Sequence, residues 1–294
     1  MQKFKYYTLD VFTDRPFGGN PLAVFTDAAT LDTTMMQQIA TELNLSETVF
    51  ITGEMDAGRV PVRIFTPTTE IPFAGHPTVG TALLLDKLGW LSAESERVVL
   101  QEGIGDVSVV LDRERAVACF QTAQLPRVNT SGLSRMQAAE LLGLRPEQVV
   151  AEPVIGDCGL PFQLIELKDL AAVSEAELDL TLWRRYLRDA EACSVYLFCR
   201  QGLQADIRAR MFDPGFNIPE DPATGSAAAA LAGTLAITDS VSGEQHYLIE
   251  QGVEMGRPSY ITTRVVSDRA GVEAVYVSGQ AVLMSEGSFL LPGL

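Results

Sequence analysis

The sequence predicts an α+β protein built from two similar domains. Three observations carry this. Short runs of alternating apolar and polar residues are interspersed with a few helical periods, 294 residues suffice for one large domain or for two of roughly 150 each, and one motif is written twice at half the chain length.

In the first half, two-residue alternation predicts strands over Phe4 to Phe12, Glu47 to Thr52, Val60 to Thr66, Val107 to Leu111 and Ala116 to Phe120. Helical periods fall at Leu31 to Leu43 and Thr78 to Leu88. The second half repeats this make-up. Helices are expected at Ser134 to Leu142, Leu182 to Ala190 and Thr224 to Leu235. Strands are expected around Val195 to Cys199, Ala205 to Phe212, Tyr260 to Val266, Val272 to Val277 and Gln280 to Met284.

The mirror extends to particular residues. VRIFTPTTEIPFAGHPTVGTALLL matches ARMFDPGFNIPEDPATGSAAAAL in the order Arg, apolar, Phe, x, Pro, then Ile-Pro, then His or Asp before Pro. Arg63 and Arg210, Phe65 and Phe212, Pro67 and Pro214, and Ile71 and Ile218 are each 147 residues apart, and a gap of two then aligns His76 with Asp221. A shared order of that length argues for duplication. The join falls near Gln121 to Asn129, which sets expected domains at residues 1–124 and 125–294.

Composition narrows the function. With 22 Lys and Arg against 38 Asp and Glu the formal charge is −16, which repels nucleic acid and anionic membranes at long range. Anionic small molecules remain possible ligands, because local donors decide a site. Four cysteines without a C-x-x-C pair and only two histidines suggest neither a disulfide framework nor a zinc cage, so a reducing cytoplasm and no bound metal are expected. The N-terminus lacks the apolar core of a signal peptide, so the sequons at Asn44 and Asn129 carry no weight. The longest weakly polar run, Ser226 to Ile237, is far short of the ~20 residues that cross a bilayer.

Each motif copy leads through a turn into an Ala- or Leu-rich helix, with Pro77 and Pro222 expected as first residues because proline suits a position whose N–H is unbonded anyway. His76 and Asp221 then fall at or beside the N-cap, and the N–H groups of Val79, Gly80, Gly225 and Ser226 would form an anion cradle. If duplication makes the two helix starts face each other, one site would hold a carboxylate or a developing oxyanion. Asp before Pro is a common structural cap and a lone histidine a common turn residue, but imidazole and carboxylate at repeat-equivalent positions suit acid–base exchange. Glu47 shares a strand face with Val49 and Ile51, where a carboxyl should have a raised pKa unless it turns to solvent.

Other motifs are weak. Gly103-Ile104-Gly105 has no third glycine and no helix behind it, so no dinucleotide fingerprint is read. Thr224-Gly225-Ser226 opens a helix and is not a nucleophile elbow, which disfavours a hydrolase. Asp213, Glu220 and Asp221 fit turn chemistry around Pro214 and Pro222 better than a cation site.

Four ordered segments, DVFTDRPFGGNPLAVF, NLSETVF, FAGHPTVGTA and EDPATGSAAAAL, give a resemblance to the PhzF-like (phenazine-biosynthesis-like) family, built on the diaminopimelate-epimerase fold. The resemblance implies two pseudo-symmetric α+β domains, each a β-sheet wrapped around a central helix, with the active site in the cleft between them and a homodimer as the usual assembly. It implies Glu47 as the catalytic acid/base, His76 and Asp221 as its proton-handling partners, and Gly75, Gly225 and Ser226 around the substrate carboxylate. The activity implied is cofactor-free isomerisation of the 2,3-dihydro-3-hydroxyanthranilate type. The related epimerases use two cysteines, and none of the four here lies in either motif copy, which disfavours a two-thiol racemase. A non-catalytic binding protein on the same scaffold is the other reading, since fold alone does not fix function.

Overall fold

The structure is a computed structural model and describes residues 2–240 and 242–291. The chain forms two compact units, Met1–Gln121 with Ser278–Leu294, and Thr122–Val277.

The first unit runs β1 (Gln2–Val11), β2 (Asn20–Phe25), α1 (Thr33–Leu43), β3 (Glu47–Ile51), β4 (Arg59–Phe65), β5 (Glu70–Ile71), α2 (Gly75–Lys87), β6 (Arg97–Glu102), β7 (Gly105–Asp112) and β8 (Val117–Gln121). The second runs β9 (Arg127–Thr130), α3 (Arg135–Leu141), β10 (Val154–Asp157), β11 (Pro161–Glu166), α4 (Leu170–Glu175), α5 (Leu180–Tyr186), β12 (Val195–Cys199), β13 (Ile207–Asp213), β14 (Ile218–Asp221), α6 (Gly225–Thr238), β15 (Gly243–Gln251), β16 (Ser259–Asp268) and β17 (Gly271–Gly279). The last strand, β18 (Ala281–Leu291), pairs antiparallel along the length of β1. This departs from the division expected from the sequence, which places the segment in the second domain and the boundary after residue 124. Alternation shows that a segment is a strand but does not show which sheet it joins.

The duplication appears in the pairing. In the first unit β1–β2 is antiparallel, β2–β3 parallel, β3–β4 antiparallel, β4–β6 parallel and β6–β7 antiparallel. In the second, β10–β11, β11–β12, β12–β13, β13–β15 and β15–β16 follow the same alternation. A parallel pair needs a crossover, and helices supply it at the same places. The chain passes through α1 or α4 and α5 at the first crossover and through α2 or α6 at the second.

Each second-crossover helix is the centre of its unit. In α2 the residues from Gly75 to Ala82 are all buried, and α6 is buried on nearly every face. A helix apolar all round belongs inside a core. Accordingly α2 packs against β1, β2, β3, β6, β7, β8 and β18, and α6 against β9, β10, β11, β15 and β16. Glycine permits the close approach: a Cβ at Gly80 would stand 2.6 Å from Leu22 and 2.7 Å from Val11, and one at Gly233 would overlap Pro126.

The repeated Arg-x-Phe also has a structural use. Arg63 holds Glu70 through two hydrogen bonds of 2.7 and 2.5 Å and lies over the Phe65 ring. Arg210 holds Glu220 in the same bidentate way at 2.8 and 2.9 Å and lies over Phe212. In both units the arginine ties the short strand before the central helix to the strand preceding it.

Candidate active site

Two of the expected proton-handling residues meet in the first unit. Glu47 opens β3, and the parallel register sets it beside Leu22 of β2. The rest of β3 is buried on both faces, so Glu47 is the one residue of that strand with solvent access. His76 lies in the first turn of α2, which packs against β3. Glu47 Oε2 stands 3.2 Å from His76 Nδ1, with the side chains 14% and 4% exposed.

Burial lowers the His76 pKa to about 3, so the ring is neutral at physiological pH. The contact therefore joins a carboxyl to a neutral imidazole and is no ion pair. A neutral imidazole has one donor and one acceptor nitrogen, and the buried Nε2 has no hydrogen-bond partner among the described residues.

The helix starts differ from the expected ones. In α2 the N-cap is Ala74, Gly75 is the first residue, His76 the second and Pro77 the third, and Thr78 N–H donates to the Ala74 carbonyl at 3.2 Å. Proline is still accommodated, because the N–H groups of the whole first turn lack intrahelical partners. Val79 and Gly80 lie beyond that turn, so their N–H groups are spent inside the helix and are not free for an anion. The leading donors are those of Gly75 and His76.

In α6 the N-cap is Thr224, and Gly225 and Ser226 lead the helix, as expected for donors. Pro222 lies outside it. Asp221 is the last residue of β14, is buried, and accepts from the Thr224 hydroxyl at 2.5 Å. Asp221 thus holds the side chain of the cap and is not itself the cap. The gap of two in the repeat lies behind the difference, because α2 starts more than a turn before Gly80, the residue aligned with Gly225.

Sequence reasoning missed four groups around these helix starts. Glu102, at the end of β6, is 7% exposed, and its Oε1 lies 2.7 Å from the Thr78 hydroxyl. In the second unit Gln251 Nε2 donates to the Asp221 carbonyl at 2.7 Å and to Thr224 Oγ1 at 3.0 Å. Gln251 Oε1 accepts from Thr224 N–H at 3.2 Å and from the Tyr196 hydroxyl at 3.1 Å. Burial and the nearby Asp221 charge raise the pKa of the Tyr196 phenol. A signal existed: Gln101-Glu102-Gly103 and Glu250-Gln251-Gly252 extend the repeat beyond the stretch in which it was noticed.

Asp213 is the acidic residue at the turn before Pro214. It is buried, receives the Ser194 hydroxyl at 2.9 Å, and has its pKa raised to about 6, chiefly by burial. None of the four cysteines forms a disulfide; Cys199 is buried and the other three are half-buried.

Fold and site define an α+β protein whose buried central helix carries a neutral imidazole against a strand-borne carboxyl. The chain belongs to the phenazine biosynthesis-like family, whose model matches residues 9–287. It is 38% identical to an uncharacterized isomerase of Mesorhizobium japonicum, over 99% of this chain and 100% of that protein. It is 36% identical to the trans-2,3-dihydro-3-hydroxyanthranilate isomerase of Pseudomonas aeruginosa, over 96% of this chain and 98% of that one. A phenazine biosynthesis protein of the PhzF family from Bacillus anthracis superposes with a TM-score of 0.90 at 23% identity, covering 99% of this chain and 100% of that one. A hydroxyproline epimerase from Agrobacterium vitis shares the fold at a TM-score of 0.62 and 10% identity, over 97% and 92% of the two chains. No helix among the described residues is long and apolar enough to cross a membrane.

Proposed function

We propose that this chain is a cofactor-independent isomerase that relocates a proton on a small carboxylate-bearing ring substrate, of the trans-2,3-dihydro-3-hydroxyanthranilate type. The observation that carries the reading is the Glu47–His76 contact at 3.2 Å at the start of a central helix, in a chain whose relatives named for that activity align over nearly its full length.

In this reading Glu47 removes a proton from an acidic carbon and returns it to another atom of the same molecule, so substrate and product differ only in where hydrogen and the double bonds lie. A neutral His76 suits this task, since it orients the Glu47 carboxyl through one nitrogen and leaves the other to accept a substrate hydrogen bond. Asp221 is assigned the second carboxyl of the proton-handling set. The leading N–H groups of Gly75, Gly225 and Ser226 are assigned to the substrate carboxylate, for which helix starts provide unbonded donors and a favourable dipole.

The test is turnover of that substrate in deuterated water. Deuterium is expected in the product at the carbon that gains hydrogen. Glu47→Gln keeps the shape and removes the basic oxygen, so turnover should fall ~10² to 10⁴-fold with the fold intact. A Glu47→Gln protein with undiminished turnover would remove Glu47 from the mechanism, and binding without isotope exchange would favour a binding protein.

A further inference from the structure

The central helix of the first unit is pinned by a carboxyl that the proton relocation does not use. Thr78 Oγ1 lies 2.8 Å from the Ala74 carbonyl and 2.7 Å from Glu102 Oε1. A hydroxyl has one hydrogen, and a carbonyl can only accept. Were Glu102 ionised, both oxygens would compete for that single hydrogen. If Glu102 is a carboxylic acid, its own O–H is donated to Thr78, Thr78 donates to Ala74, and every contact is made. The second oxygen points the same way: Glu102 Oε2 is buried and has no hydrogen-bond partner among the described residues, a poor place for charge.

The other unit shows what kind of group belongs there. Pro61 of β4 faces Gln101 of β6, and Arg208 of β13, which is 147 residues after Pro61, neighbours Glu250 of β15 in the equivalent register. The next residues, Glu102 and Gln251, are therefore counterparts. Gln251 is a neutral carboxamide that donates with one arm and accepts with the other, and it fastens Thr224, the N-cap of α6, by both backbone and hydroxyl. A protonated carboxyl is the nearest neutral group of the same shape with one donor and one acceptor.

We propose that Glu102 is a positioning residue for the reaction, acting as a neutral carboxylic acid that fixes Thr78 and Ala74 and so sets the turn carrying Gly75 and His76. Ala74 caps α2 without any side-chain cap bond of its own, so this link joins the His76–Glu47 contact in tying the helix start to the sheet. The environment agrees: burial raises the Glu102 pKa to about 8, against a smaller opposing effect of the Thr78 hydrogen bond. Charges on the elements packed against it are engaged elsewhere. On α2, His76 is neutral, Asp86 pairs with Arg113, and Lys87 is at the far end. On β4, Arg59 pairs with Asp106 of β7, and Arg63 with Glu70. Asp112 of β7 pairs with Arg115, and Arg97 of β6 reaches Ser108.

The inference rests on the proposed function for its catalytic consequence, so Glu102→Gln is read in the full chain by measurements with and without turnover. A carboxyl whose folded pKa lies above its unfolded value gives stability that is complete below 4.5 and is lost as pH rises to about 8. The wild-type unfolding temperature should therefore fall relative to that of Glu102→Gln across this window and run parallel to it above. An infrared band of a protonated carboxyl should be present at neutral pH in wild type and missing in the variant. Amide exchange at Thr78 should accelerate in wild type, but not in the variant, beyond the base-catalysed trend above about pH 8. Wild-type turnover should decline about tenfold per pH unit above that point, while Glu102→Gln keeps neutral-pH turnover and loses this decline. Parallel stability curves, or the absence of the infrared band, would overturn the inference. So would a folded Glu102→Gln protein inactive at every pH, which would make the ionisable oxygen part of the chemistry. A wild-type protein that turns nothing over while the band, the stability window and the exchange change are all present would instead count against the proposed function alone.

Discussion

The two central helices occupy the same place in the same strand-pairing scheme, yet they begin with different chemistry. At the start of α2 stand a neutral imidazole, a strand carboxyl and the buried Glu102; at the start of α6 stand an aspartate, a threonine cap and the amide of Gln251. What duplication has kept is what builds the framework: the bidentate Arg63 and Arg210, the phenylalanines beneath them, and the crossovers. Part of what has diverged lies within a turn of the helix ends. A backbone scheme tolerates such exchange because the groups at a helix start answer to a few unbonded donors and not to the packing of the whole core.

The largest effect that would sharpen the comparison lies one residue before the Glu102 and Gln251 pair. In the second unit Arg208 is 4% exposed and bonded to Glu250 and Glu254, each at 2.8 Å, whereas its counterparts in the first unit are Pro61 and Gln101. Arg208→Ala strands the buried Glu250 and the half-buried Glu254 and should cost about 3–5 kcal/mol in denaturant unfolding. Gln101→Ala removes a half-buried neutral side chain and should cost under about 1 kcal/mol. Equal costs would mean that the two positions are not distinguished by charge.

A next effect separates the helix starts by pH. Because burial lowers the His76 pKa to about 3, its contribution to stability is complete above 6.5 and is lost as pH falls from there towards about 3. His76→Gln should flatten that acid slope, a change on the order of a few kcal/mol at its low end. An Asp221→Asn protein should keep the slope. Unfolding curves at several pH values check both, and a slope unchanged by His76→Gln would show that the imidazole is charged when folded.

The smallest effects concern what the units share. Gly80→Ala meets Leu22 and Val11, and Gly233→Ala meets Pro126, so each should destabilise by about 1–3 kcal/mol through overpacking. A neutral result at either glycine would break the equivalence of the two helix seats.

Much of the framework was legible in the sequence. The duplicated motif gave both central helices, and alternation gave β1, β3, β4, β7, β8, β12, β13, β16 and β17 nearly at their observed bounds. Three of the strands that escaped have a local reason. NPLAVF of β2 and PFQLIE of β11 are buried on both faces and so lack alternation, and β15 is largely polar through its first half. His76 and Asp221 stood out by residue type and repeat position, and Glu47 as a carboxyl on an apolar strand face. Glu102 did not, because a glutamate before a glycine reads as a strand end meeting solvent until its burial is known.

The amino-acid order by itself thus determined the duplication, the apolar helices at the centre of each unit and the residues proposed for proton transfer, since periodicity and spacing are local properties of a chain. The tertiary structure alone decided where α2 begins, that β18 returns to β1, and that burial leaves His76 neutral and Glu102 in need of its proton. Protonation follows from which atoms exclude water, and those atoms come together from parts of the sequence that carry no mark of one another.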